Sequence, residues 1–135
     1  MSYEDYEKAA EITRSDNKIL LEEFVKYLEA GGLKQKTVAK HVGNVDFYIN
    51  VYLLYDDITE ARDGVPSISG FFNWFFPKKA MWSSPSSVKE NVTSLKKFYK
   101  YLSEKGRIDV SEYQFLLGTV KEEKAEWLEH YHEEW

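Results

Sequence analysis

The chain has 135 residues, with 18 Lys/Arg against 23 Asp/Glu and a formal charge of -5. It has no cysteine, which excludes disulfides, thiolate zinc centres and cysteine nucleophiles, and no apolar run approaches the roughly 18 residues of a membrane span. A hydrophobic share of 43% excludes a disordered chain and fits one domain over 1–135, while the acidic balance taken whole argues against nucleic acid.

The N-terminal MSYEDYEKAAE is acidic and lacks an apolar signal core, so no secretory signal is expected, and the absence of cysteine suits a cytoplasmic protein. The total charge conceals segregation. Residues 1–33 sum to -4, 34–55 to +2, 56–66 to -3, 67–108 to +6 and 109–135 to -6. The middle is basic and both ends are acidic, so the average says little about any local surface.

In chain order, residues 3–13 read as a short helix or a frayed lead-in. Ser15 or Asp16 is the expected N-cap of the next helix, where Ile19, Leu20, Phe24, Tyr27 and Leu28 recur at helical spacing. Gly31 and Gly32 are placed to end it with a left-handed cap. Thr37 is expected to open a second helix running to about Leu54, with Val38, Val42, Val45, Tyr48, Ile49 and Tyr52 as one stripe. Gly43 inside that helix suggests a close helix contact. Residues 56–66 read as an acidic loop. Ser67 should cap a short helix dense in aromatics, Phe71–Phe76, which Pro77 should end. This cluster, with Trp82, is expected in the core, but it exceeds what one side of a short helix can bury, which leaves some of it for association.

After the Ser83–Ser87 breaker comes a long amphipathic helix. Val88, Val92, Leu95, Phe98, Tyr99 and Leu102 form its apolar side, and Lys89, Thr93, Lys96 and Lys100 lie on another. Gly106 is placed to cap its end. The acidic remainder, with Tyr113, Leu116, Leu117, Val120, Trp127, Leu128 and Tyr131, is again helical in period. No strand pattern competes, so the expected fold is all-α, about five helices with short links.

Catalytic patterns are missing. There is no phosphate-binding glycine loop and no pairing of a nucleophile with a base, so neither an enzyme nor a cofactor is expected. His130 and His132, with Glu129 and Glu133, allow a surface metal site or a solvated tail. Two helix starts instead share one design. One is Gly32–Val38, followed by Lys40, His41 and Asn44; the other is Ser84–Val88, followed by Lys89, Thr93, Lys96, Lys97 and Lys100. Each sets a hydroxyl cap and unpaired N–H groups beside lysines, a pattern that suits a phosphate backbone but also an ordinary solvated face. Neither helix contains arginine, so bidentate guanine reading is absent there.

At these residues the sequence resembles the core-binding domain of tyrosine recombinases and phage integrases. LLEEFVKYLEA at 20–30 and the 33–54 helix opened by Lys36 and Thr37 look like that domain's start. Residues 86–108, SSVKENVTSLKKFYKYLSEKGRI, resemble its last core helix, in which Ser87 stands as the hydroxyl cap. The likeness covers 16–108. It implies a SAM-like four-helix core bundle clamping duplex DNA, with an additional acidic C-terminal helix over 109–135. Carried over, its second and fourth helices implicate Lys36, Thr37, Lys40, His41, Asn44, Ser87, Lys89, Thr93, Lys96, Lys97 and Lys100 in DNA binding. Glu90 and Asn91 depart from the family's basic or polar contacts, and Asp109-Val110 replaces its usual Asn-Pro link. The catalytic half is missing and no His-x-x-Arg occurs. The resemblance therefore implies a non-catalytic DNA-binding module of a mobile element, with a protein-interaction or oligomerisation module that kept the fold as the alternative. Self-association or a recombinase partner would be met through Trp127, Tyr131, Trp135 and the Phe71–Phe76 segment. The acidic segment either packs on the bundle or lies over the lysines and competes with DNA. Competition requires tighter DNA binding after truncation at Ile108.

Overall fold

The computed structural model describes residues 2–131. The chain is all-α: helical segments account for about 80% of it, and no strand occurs among the described residues. They belong to two compact units, 1–64 and 65–135.

In the first unit, α1 runs unbroken over Tyr3–Ala30. The break expected at Ser15 and Asp16 does not occur. Ser2 caps the helix instead, its Oγ accepting from the Asp5 N–H at 3.1 Å while the Asp5 carboxylate accepts from the Ser2 N–H at 3.4 Å. Glu4 and Asp5 in the first turn suit the positive end of the helix dipole. The inward stripe is Ala10, Thr13, Asn17, Phe24 and Leu28. Ile12 and Ile19 are exposed, so the apolar pattern alone gives the wrong inward face for the N-terminal half. The polar Asn17 takes the inward place because it has partners there: its Nδ2 donates to the Ile49 carbonyl at 3.3 Å and to Asn50 Oδ1 at 2.7 Å. Gly32, at φ 88°, ends α1 as expected, with the Leu33 N–H reaching back to the Leu28 carbonyl and the Gly32 N–H to that of Glu29.

Helix α2 spans Gln35–Asp46 and continues through a π-helical stretch, Phe47–Tyr52, so the chain stays helical nearly to Leu54 as expected. Its N-cap is Lys34, without a side-chain cap, and Thr37 sits in the first turn rather than opening the helix. A Cβ at Gly43 would meet nothing within 4 Å, so no close helix contact explains that glycine. The Tyr6 hydroxyl donates to the Leu54 carbonyl and the Tyr48 hydroxyl to the Gly64 carbonyl, tying the unit's later segment to its helices. The acidic loop holds one 3-10 turn, Ala61–Asp63.

In the second unit a short 3-10 turn, Val65–Ser67, leads into α3 (Ile68–Gly70), a π-helical turn (Phe71–Phe75) and α4 (Phe76–Lys79). Ser67 makes no side-chain cap hydrogen bond. Pro77 does not end the helix at Phe76. The π turn just before it already departs from the i→i+4 ladder, so the hydrogen bond that proline cannot donate falls where the ladder changes register. Phe71, Phe72, Phe75 and Phe76 are all buried, so the expected excess of aromatics is confined to Trp74 and Trp82. The extra residue in a π turn lets neighbouring positions face inward together, which a regular helix of this length would not allow.

Helix α5, Pro85–Glu104, buries the expected apolar side together with Asn91, Ser94 and Tyr101. Gly106, at φ 71°, receives the chain beyond its end. Helix α6, Val110–Glu129, packs against α5, with Leu116, Val120 and Trp127 buried. The Trp127 ring stacks on Phe72 with centroids 4.6 Å apart. Within this unit the acidic helix is therefore part of the core, by way of its apolar stripe.

Candidate functional site

The lysines of α5 share a face because of their spacing. At about 100° per residue, Lys89, Thr93, Lys96 and Lys100 fall within roughly a 60° sector, with Lys97 about 40° beyond it. That sector lies opposite the buried Leu95, Phe98 and Leu102. Lys89, Thr93 and Lys100 are exposed. Lys96 and Lys97 are half-buried. None of the four lysines makes an ion pair with another described residue. Glu90 flanks the strip and has a partner within the fold.

The start of α5 differs from expectation. Ser84, not Ser87, is the N-cap. Ser87 sits three residues on and completes a reciprocal box: its N–H donates to Ser84 Oγ at 3.1 Å, and the Ser84 N–H donates to Ser87 Oγ at 2.8 Å. A helix start leaves four N–H groups over. Here Pro85 has none, and Ser84 and Ser87 satisfy each other. The first turn is thus mostly closed to an anion. Hydroxyl donors are committed too: the Ser87 hydroxyl donates to the Ser84 carbonyl at 3.0 Å and the Thr93 hydroxyl to the Lys89 carbonyl at 3.1 Å. The free donors of the strip are the lysine ammoniums.

On α2, Lys36 and Lys40 are exposed, and Thr37 and Asn44 are half-buried. His41 is buried at 6% exposure and has a partner inside the fold, so its ring is withdrawn from any surface contact. The spacing carries the signal for this. His41 lies three residues after Val38 and four before Val45, both buried, at the margin of the stripe that packs against α1.

Two expected docking features are corrected. Trp127 is fully buried under Phe72, and four of the five Phe71–Phe76 aromatics are core, so neither can be a docking surface. Tyr131 is half-buried. Trp135, His132 and Glu133 lie outside the described residues. His130 sits 3.2 Å from Asn73 Oδ1, and no group of three metal-ligating side chains occurs among the described residues. No described helix is long and apolar enough to cross a membrane.

Sequence reasoning overlooked Lys78, Lys79 and Met81, all exposed just before α5. A Lys-Lys pair followed by Met-Trp was the available signal. No family model, no characterised protein and no solved structure matches the chain.

Proposed function

We propose that the protein binds duplex DNA without catalysis, through phosphate contacts from the lysine face of α5; Lys36 and Lys40 of α2 offer a separate pair of charges in the first unit. The observation that carries this reading is the single face of α5 bearing Lys89, Lys96, Lys97 and Lys100 without an ion pair to any described residue. Four ammoniums along a rigid helix present a row of positive charge to a phosphate backbone. Backbone contacts dominate, because neither helix offers an arginine fork for a base edge. The resemblance of residues 16–108 to the integrase core-binding domain supports the same partner, and a role beside a recombinase of a mobile element.

The test is a salt series with a long duplex. Four phosphate contacts give a slope of about -3.6 in log affinity against log salt, and Lys96→Ala/Lys100→Ala should halve it. Between about 50 and 200 mM salt, wild type should lose on the order of a hundredfold in affinity and the variant on the order of tenfold. No binding at the lower concentration, or an unchanged slope in the variant, refutes the reading. Exposed Val110 and Phe115 on α6 favour the second reading, a protein-interaction module. Self-association or recombinase capture that is indifferent to the lysine changes would establish it.

A further inference from the structure

The segment between α4 and α5 is built unlike an ordinary turn. The Ser83 N–H donates to the Ala80 carbonyl at 3.0 Å, closing a four-residue turn with Met81 and Trp82 at its centre. Such positions are normally filled by Gly, Pro, Asn, Asp or Ser. Here they hold two large apolar side chains, Met81 at 100% exposure and Trp82 at 57%. Neither residue supplies the φ preference or the local hydrogen bond that turn residues contribute, and Met81 buries nothing.

The turn is joined to ordered helix on both sides. On one side the Ala80 N–H donates to the Phe76 carbonyl at 3.1 Å, and the Trp82 ring meets Phe76 edge-on at 6.4 Å. On the other, the chain runs through Ser83 directly into the Ser84–Ser87 capping box that opens α5. Along the chain, the residues on either side of the turn carry mainly positive charge. Residues 68–103 contain six lysines and a single carboxylate, Glu90. Lys78 and Lys79 are exposed immediately before the turn, and the α5 lysines follow it. The rise from Lys89 to Lys100 is about 16 Å, or roughly five nucleotides of one strand.

We infer that the Met81–Trp82 turn is a stacking tip for an unpaired base, so that the protein prefers DNA with a gap or single-stranded segment over continuous duplex. The inference rests on the DNA-binding reading and adds the structure of the target. A repeated positive charge along a helix matches a polyanionic strand. An aromatic at its end matches the one apolar surface such a strand offers, the face of a base out of its stack. The turn's own hydrogen bond, the Phe76 ring beside Trp82 and the capping box that follows reduce the ordering cost of binding.

The experiment compares continuous duplex, the same duplex with a two-nucleotide gap, and single-stranded oligothymidine, read by anisotropy at fixed salt. Anionic phosphatidylserine vesicles form a separate arm. Wild type should favour the gapped or single-stranded DNA by about five- to 150-fold, the range of one base–aromatic stack. Trp82→Ala should erase that preference while leaving continuous-duplex affinity within about twofold. Trp82→Phe should keep most of it, and Met81→Ser, at a fully exposed position, should reduce it with the fold intact by circular dichroism. Equal affinity of wild type for all three DNAs overturns the inference, as does a Trp82→Ala variant that weakens all of them alike. If duplex binding and its lysine dependence persist in that case, only the stacking tip is wrong. If no DNA binds, both readings fall, and vesicle binding lost in Trp82→Ala would assign the tip to a lipid surface.

Discussion

Asn17 is the polar residue on which the first unit should depend most. It is 1% exposed, and its Nδ2 supplies both the Ile49 carbonyl and Asn50 Oδ1. Asn17→Ala removes both hydrogen bonds and leaves space behind. A buried acceptor deprived of its donor costs about 1–3 kcal/mol. The Asn50 amide is half-buried and still donates to Asp46 Oδ1 at 2.6 Å, so its loss should add only about 0.5–1 kcal/mol. A total of about 2–4 kcal/mol would lower the melting temperature of a 64-residue unit by roughly 10 °C or more. Urea unfolding followed by far-ultraviolet circular dichroism measures it. All four tryptophans lie beyond residue 64, so their fluorescence reports the second unit alone. The same sample thus reveals whether the two units unfold together. Asn50→Ala should cost about 1 kcal/mol or less. A loss below about 0.5 kcal/mol for Asn17→Ala would refute the argument, because the Ile49 carbonyl would then need no donor from α1.

The glycines divide by backbone conformation. Gly43→Ala, in open space within α2, should stabilise by about 0.5–1 kcal/mol, whereas Gly106→Ala, at φ 71°, should destabilise by about 1 kcal/mol; thermal melts of both variants decide. Tyr52 gives a pH prediction. Burial first, and the nearby Asp56 carboxylate second, raise its hydroxyl above the ordinary value of 10. The folded state therefore favours the protonated phenol, and this contribution is complete below pH 10 and lost as the pH rises from there toward the folded value. Tyr52→Phe should show a flatter fall in stability on the alkaline side in urea titrations from pH 8 to 11.

Legibility in the sequence followed the strength of local physics. Both helix ends written as glycines were readable, because Gly32 and Gly106 take up conformations that other residues avoid. The apolar side of α5 was readable because its period is unbroken from Val88 to Leu102. The inward face of α1 was not. Asn17 is buried because of partners on a distant segment, and hydropathy carries no trace of that. The course past Pro77 was obscured by a π turn, a shift in hydrogen-bond register that residue spacing does not encode. Of the candidate site, the lysine strip was readable from step size alone. Burial of His41 required treating its place between Val38 and Val45 as stronger than its polarity.

The acidic helix is where charge and packing must be weighed against each other. Truncation after Ile108 is a poor test of competition with DNA. It removes Leu116, Val120 and Trp127 from the core and uncovers Phe72, so loss of folding in the second unit would mask any change in affinity. Exposed charge is the better handle. Glu122, Glu126 and Glu129 are exposed on α6, Glu122 and Glu129 opposite its buried stripe and Glu126 to one side of it. Side chains so placed act on the lysines only through a field screened over about 8 Å at physiological salt. Glu122→Gln/Glu126→Gln/Glu129→Gln should therefore leave the fold intact and raise duplex affinity by less than about threefold at 150 mM salt, with a larger rise at low salt. A tenfold rise at 150 mM would contradict this placement and show that the acidic helix covers the strip. A small, salt-sensitive rise would mean that the -6 of the C-terminal segment tunes the overall field while leaving the α5 lysines open to a phosphate backbone.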